Sequence, residues 1–352
     1  MADLFDDVIG HRHVVALLRD EVRAPAQAYL FTGPAGAGKS MVARRFAAAL
    51  LCGGDDACRG RVVRGAHPDV VVVEPEGRTA ITVEQARSTV ALASLAPLEA
   101  DRRVFIFEEG GAMNDEAANA LLKTLEEPTP STVFLIVTES EDDLPETVAS
   151  RCRTIVFGRV GETEVAEGLV RFGVEPTQAE HASRISGGRP GLALALATQP
   201  EVAEFRRIWL GIPLRLSEHP GDAYQLADEV TAAAEPLLAA LRERQQEEEA
   251  AAPEGGGRAL KDRHERELRR ATAALSVSGL EILAGFYRDA AAAQLGAAVR
   301  NPDIPAPALT RIAPARAVRN AGRVLDAIDS LQANQRPQLA FAALFADLGA
   351  GA

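Results

Sequence analysis

The chain has 352 residues, 47% of them hydrophobic and 25% charged, with a formal net charge of −12. These totals fit a globular protein of two or three domains, and the acidic balance argues against gripping nucleic acid as its main solo activity, which asks for a basic face. Three cysteines make no disulfide framework, no apolar run reaches membrane-span length and the acidic start has no signal-peptide pattern, so the expected setting is a reducing cytoplasm away from membranes.

Residues 4–24 open with Leu4-Phe5-Asp6-Asp7-Val8-Ile9-Gly10-His11, and Val14, Val15, Leu17 and Leu18 then recur at helical spacing. Ala28 to Phe31 reads as a short strand. Next comes Gly33-Pro34-Ala35-Gly36-Ala37-Gly38-Lys39-Ser40, which fits the phosphate-cradling pattern G-x-x-x-x-G-K-[ST]. Met41 to Leu50 reads as the helix behind it. Strand, glycine loop and helix are what that chemistry needs. Gly33, Gly36 and Gly38 let backbone N–H groups face a polyphosphate, and the helix start adds partial positive charge. Lys39 would reach the outer phosphates, and the Ser40 hydroxyl would hold Mg²⁺.

Leu51 to Cys58 is turn-rich. Zinc wants four ligands, and Cys52, Cys58 and His67 are too few at an unsuitable spacing, so the two cysteines are read as ordinary thiols. His67 to Pro75 carries unbroken valines, as in a parallel strand covered on both faces. Ile81 to Arg87 starts a helix, with Thr82 as N-cap and Gln85 at its third position. Arg103 to Glu109 is a third strand ending in two acids. Asn114 to Glu127 is a helix that Pro128 and Pro130 stop. Val133 to Thr138 and Thr154 to Phe157 are the fourth and fifth strands. Strands alternating with helices predict a parallel α/β sheet.

Beyond residue 158 the strands cease. Residues 162–172, 177–185 and 192–198 read as three short helices, broken at Gly173 and at Gly187-Gly188. The chain then stays helical. Charge runs from Arg242 to Glu249 and from Lys261 to Arg270 flank Pro253-Glu254-Gly255-Gly256-Gly257, and read as solvated helix ends around a flexible tip. Apolar stripes return from Leu275 to Tyr287, from Val324 to Leu331 and from Leu339 to Phe345.

Two further segments carry a resemblance. Glu116 to Pro128 contains A-N-A-L-L-K-T-L-E-E-P, and Leu144 to Cys152 ends in S-R-C. With the glycine loop they resemble the clamp-loader branch of the AAA+ ATPases, and within it the delta-prime family of bacterial DNA polymerase III from high-GC organisms. The likeness covers nearly the whole chain and reaches Leu331 to Leu339, which is similar to the last helices of a clamp-loader collar. It implies an α/β P-loop AAA+ domain over residues 1–158, a three-helix lid over 159–200 and an all-α collar over 201–352 with a charged insertion at 242–270. It also implies a hetero-pentamer with other clamp-loader subunits, which uses ATP to load a sliding clamp onto primed DNA.

The resemblance assigns roles residue by residue. A stretch like Phe5 to Gly10 contacts adenine in the family, which implies Val8 and Ile9. Motor subunits carry Asp-Glu at the end of the strand beside the P-loop strand; the first holds Mg²⁺ and the second polarises water. The aligned pair here is Glu108-Glu109. Glu108 is one methylene longer than Asp, Gly110-Gly111 follows where motors have larger residues, and an octahedral Mg²⁺ shell tolerates misplacement poorly. Thr138 takes the position of the γ-phosphate sensor. The lid arginine of motors aligns with Gly191, and Arg189, just before Pro190, is expected to point elsewhere. Arg151 of S-R-C is expected to reach a neighbour's nucleotide in trans as an arginine finger. Glu126 and Glu127, at the negative end of a helix, suggest contact with a neighbouring subunit. The family usually has four zinc-binding cysteines where this chain keeps two, which implies a shortened module without zinc. The expectation is a stator that binds ATP with Mg²⁺ at most, with weak or absent hydrolysis of its own. The alternatives are an ATP-hydrolysing motor of the same loader or a stand-alone P-loop phosphotransferase.

Overall fold

Five apolar runs of the sequence, β1 (Ala28–Thr32), β2 (Val70–Val73), β3 (Arg103–Phe107), β4 (Thr132–Val137) and β5 (Arg153–Val156), pair as one parallel sheet in the order β2-β3-β4-β1-β5. The computed structural model describes residues 4–75, 80–251, 257–332 and 336–350. It divides into two units, Met1–Ala193, which holds the sheet, and Leu194–Ala352, which is helical.

Every residue of β1, β3 and β4 is buried. Strands covered on both faces need no polar alternation, which is why they were visible as plain apolar runs. The order corrects one expectation. The strand carrying Glu108 is not beside β1, because β4 lies between them, with Leu30 level with Ile136 and Ile106 level with Leu135. Each parallel return runs through a crossover, so chain order does not dictate neighbours.

Helices α1 (Arg12–Glu21), α2 (Lys39–Cys52) and α3 (Asp56–Val63) cover one face, where Leu18, Val42 and Phe46 pack with Tyr29 and Phe31. On the other face, α4 (Val83–Ala93), α5 (Asp115–Glu126) and α6 (Glu146–Ala149) bring Ala86, Leu121 and Val148 against Leu30, Phe105 and Phe134. The expected cap of α4 is present as a reciprocal pair between Thr82 and Gln85. Asp69, fully buried ahead of β2, accepts the N–H groups of Leu98, Glu99 and Ala100 at 2.6, 2.7 and 2.9 Å and the Arg103 guanidinium at 3.3 Å. Burial alone would raise its pKa, but these donors together hold it below the ordinary carboxylate value.

The cysteine segment differs from expectation. Cys52 and Cys58 are joined as a disulfide with a Cα–Cα distance of 5.6 Å, not two separate thiols. Gly53, at φ 50°, ends α2, and Asp55 caps α3 through the N–H groups of Ala57 and Cys58. That reversal lays the first turn of α3 back against the last turn of α2. His67 lies close enough for its ring and the two sulfurs to fall within 4.8 Å of one another. With the sulfurs bonded to each other, that group offers no thiolate ligand.

Helices α7 (Glu162–Arg171), α8 (Pro176–Ser186) and α9 (Pro190–Thr198) follow as three short pieces, and the division between the two units falls within α9. The second unit contains α10 (Pro200–Gly211), α11 (Pro220–Ala232), α12 (Glu235–Ala251), α13 (Gly257–Gln294), α14 (Ala306–Leu309), α15 (Pro314–Gln332) and α16 (Pro337–Gly349). Its core gathers Phe205, Trp209, Leu283, Phe286, Phe341 and Phe345. A Cβ on Gly279 would lie 2.1 Å from the Trp209 ring, so the indole packs directly on the α13 backbone.

The charge runs of α12 and α13 bind each other. Arg244 and Gln245 meet Glu267, and buried His264 sits between Glu248 and Glu249 at 3.0 and 3.1 Å. They are therefore cross-linked, not merely solvated ends. The predicted break at residues 253–256 and the collar-like residues Ala333, Asn334 and Gln335 lie outside the described residues. Among the described residues no helix is long and apolar enough to cross a membrane.

Candidate functional site

The glycine loop leaves β1 and enters α2 as predicted. Gly33, Gly36 and Gly38 all have positive φ, at 138°, 74° and 95°. At Gly33 the constraint is also steric, since a Cβ would stand 2.1 Å from the Phe157 carbonyl oxygen. The loop is pinned from two sides. Gly33 N–H donates to Glu139 O at 3.0 Å, and His11 Nε2–H donates to Ala37 O at 2.8 Å. His11 is buried, and that burial lowers its pKa and favours the neutral ring. The resemblance singles out Val8 and Ile9; His11, two residues further on, hydrogen-bonds the loop directly.

Lys39 is only 7% exposed, and its ammonium folds back on the loop, donating to Gly33 O at 2.6 Å and Pro34 O at 2.9 Å. Burial lowers its pKa, with partial compensation from the charges of Glu139 and Asp143. The lysine therefore holds the cradle in shape. A polyphosphate would give the same ammonium stronger acceptors.

Glu108 follows β3, and its Oε1 accepts Arg44 Nε at 2.6 Å. Arg44 stands four residues beyond Ser40 on α2, on the same helix face. Its Nη1 also reaches Val63 O at 3.4 Å. The loop geometry suits a polyphosphate. The carboxylate that would share Mg²⁺ with Ser40 already holds a cation on Oε1, so a metal there would share Glu108 with Arg44 or displace it. Arg44 carried no motif signal, and only the folded chain reveals its partner. Glu109 is exposed and stands at the start of the short turn after β3, with no side-chain capping bond to it.

Thr138, at the end of β4, donates its hydroxyl to Asp143 Oδ2 at 2.7 Å. That bond comes first among the causes that hold the Asp143 pKa below the usual range, followed by the Ser140 N–H. The glycines after Glu109 have a packing reason. A Cβ on Gly110 would lie 2.5 Å from Ile136 Cγ2, and one on Gly111 would lie 3.1 Å from Asp143 Cβ and 3.3 Å from Thr138 Oγ1.

Arg189 does not point away from the loop. A Cβ on Gly36 would lie 2.8 Å from Arg189 Cδ, so the arginine stem passes over the loop while its Nε donates to Ser186 O at 3.0 Å. The turn of positive-φ Gly187 and Gly188 ahead of it redirects the chain, which spacing alone did not convey. Val8 is packed in the core under α1, and Ile9 faces Gly168 of α7, where a Cβ would lie 2.5 Å from Ile9 Cγ2.

Arg151 lies on the turn between α6 and β5. Its guanidinium has hydrogen-bond partners outside the loop. Nε donates to Glu126 Oε1 at 2.9 Å, Nη2 donates to the same oxygen, and Nη1 donates to Thr147 O at 2.6 Å. The neighbouring Cys152 thiol is pushed up to about 12 by burial.

Residues 10–161 match the family model described as DNA polymerase III, delta subunit. The chain is 36% identical over 225 residues to DNA polymerase III subunit delta' of Pseudomonas aeruginosa, covering 60% of this chain and 68% of that protein. It is 30% identical over 206 residues to the Bacillus subtilis protein of the same name, covering 56% and 62%. A solved structure of a DNA polymerase III gamma subunit-related protein from Thermotoga maritima shares the fold, with a TM-score of 0.54 at 16% identity over 96% of this chain and 98% of that one.

Proposed function

Because the chain belongs to the family of DNA polymerase III delta' subunits, we propose that it serves in the clamp loader as a stator. It holds nucleotide on its own loop without turning it over, and lends Arg151 to the nucleotide of an adjacent subunit. The Arg44–Glu108 pair carries this reading, because it engages the carboxylate that a motor would keep for its metal. Arg151, by contrast, stands on a partly exposed turn, bound to groups outside the chain's own loop. A cation there would neutralise charge spreading over the transferred phosphoryl group.

In this reading the other loader subunits are the direct partners. The sliding clamp and primed DNA are reached through the assembly. Residues 159–200 act as the lid, and residues 201–352 form the collar that joins the ring. ATP with Mg²⁺ is the nucleotide of the neighbouring site. At the chain's own loop Lys39 and the loop N–H groups hold the phosphates.

The test is ATP turnover by the loader reconstituted with Arg151→Ala. Slowed turnover with stoichiometric incorporation supports the finger, and unchanged turnover removes it. Motor-like ATP hydrolysis by the isolated chain would overturn the stator reading.

A further inference from the structure

Arg151 is held in a defined pose by two acceptors from different elements. Glu126 is the last residue of α5, and Thr147 lies within α6. An arginine carries five N–H donors: one on Nε and two on each terminal nitrogen. Glu126 Oε1 takes the Nε donor and one Nη2 donor, along the edge of the guanidinium nearest the stem. The Thr147 carbonyl takes one Nη1 donor, back toward the chain. The remaining two donors, one on each terminal nitrogen, lie on the far edge. That edge is the fork that grips phosphate through two parallel hydrogen bonds.

The ion pair is not a stability device. Its side chains are 33% and 49% exposed, and such pairs contribute little to folding. Its location has a separate logic. Glu126 ends a helix, where a carboxylate opposes the helix dipole, and the arginine places a cation at that negative end. An unfavourable acid is thereby turned into a mount for the arginine.

We propose that Glu126 is a positioning residue for Arg151: it locks the near edge of the guanidinium so that the far edge is presented, before assembly, to the polyphosphate of an adjoining subunit. This rests on the reading of Arg151 as acting in trans. Fixing the side chain in advance removes the ordering that a flexible arginine must undergo in the transition state, so its loss falls on turnover and not on nucleotide binding.

The experiment uses the reconstituted loader, with Glu126→Ala, Glu126→Gln, Arg151→Ala and the Glu126→Ala/Arg151→Ala double variant, and steady-state ATP hydrolysis as readout. Glu126→Ala is expected to lower kcat about tenfold with KM for ATP nearly unchanged. Glu126→Gln, whose amide oxygen still accepts, recovers most of the rate. The double variant is no slower than Arg151→Ala alone, and the melting temperature of the isolated Glu126→Ala chain stays at the wild-type value.

A wild-type kcat for Glu126→Ala, or an effect that adds fully to that of Arg151→Ala, would overturn the proposal. If Arg151→Ala itself changes nothing, the trans reading fails. If Arg151→Ala slows turnover while Glu126→Ala does not, the positioning role alone fails.

Discussion

Arg44 and Glu108 are 64 residues apart in the chain and meet through a 2.6 Å hydrogen bond between Nε and Oε1. Both side chains are mostly covered, at 24% and 21% exposure, so solvent screens the pair less than it would at the surface. Ser40 and Glu108 would hold any Mg²⁺ at this site, and the guanidinium already seated on Glu108 would weaken that grip. Binding of ADP to the isolated chain is therefore expected to change little between Mg²⁺ and EDTA. In Arg44→Ala, Mg²⁺ should tighten binding about tenfold, the equivalent of about 1.4 kcal/mol. Isothermal titration with and without the metal measures both. Strong Mg²⁺ dependence in the wild type would mean that the pair opens freely.

Lys39 offers a second test. Lys39→Ala removes the one ammonium seated in the loop and is expected to weaken nucleotide binding about thirtyfold, near the ~2 kcal/mol of a charge-assisted hydrogen bond. Burial lowers the lysine pKa below its ordinary 10.5, so the charge begins to disappear earlier as pH rises. Affinity should accordingly fall on the alkaline side in the wild type. An equal alkaline fall in Lys39→Ala would assign the effect to another group.

The buried Asp69–Arg103 pair predicts a stability change far from any ligand. Removing one partner of such a pair costs about 3–5 kcal/mol, so Asp69→Asn should lower the urea midpoint of the sheet unit by that equivalent. The pH direction follows from the lowered pKa. On acidification the unfolded chain takes up its proton first, so the contribution is complete above 3.8 and is lost as pH falls through the lower folded value. A midpoint within 1 M of wild type for Asp69→Asn would argue that the loop at Leu98–Ala100 finds other acceptors.

Thiol titration should distinguish three states. The chain has three cysteines, two of them joined, and the Cys152 thiol is half-buried with its pKa pushed up to about 12. The thiolate is the reactive form, so the native oxidised protein at pH 8 should react negligibly with a disulfide reagent. Unfolding alone should release one thiol, and unfolding with reductant should release three. Rapid reaction of two thiols in the native protein would contradict the Cys52–Cys58 bond.

The strands, the glycine loop and the Thr82–Gln85 cap were legible because each depends on residues close in sequence. Strands buried on both faces leave plain apolar runs, and the loop leaves a spaced pattern. What escaped depends on which elements the fold brings together. Arg44 gained meaning only when β3 laid Glu108 beside α2. Asp143 gained it from the turn that returns to Thr138. His11 met Ala37 across 26 residues. Helix α3 was hidden because Asp56 to Val63 includes glycine and three charges, and its apolar period is too short to read. Arg189 was misplaced because two glycines of positive φ redirect the chain in a way that counting along a helix does not capture.

The packing of Trp209 against Gly279 has a spectroscopic consequence. Trp209 is the sole tryptophan, and it lies fully within the core of the helical unit Leu194–Ala352. Tryptophan emission is thus a reporter of that unit alone, while circular dichroism sums both. Recording the two signals along one denaturation curve separates the melting of the sheet unit from that of the helical unit, with no label added.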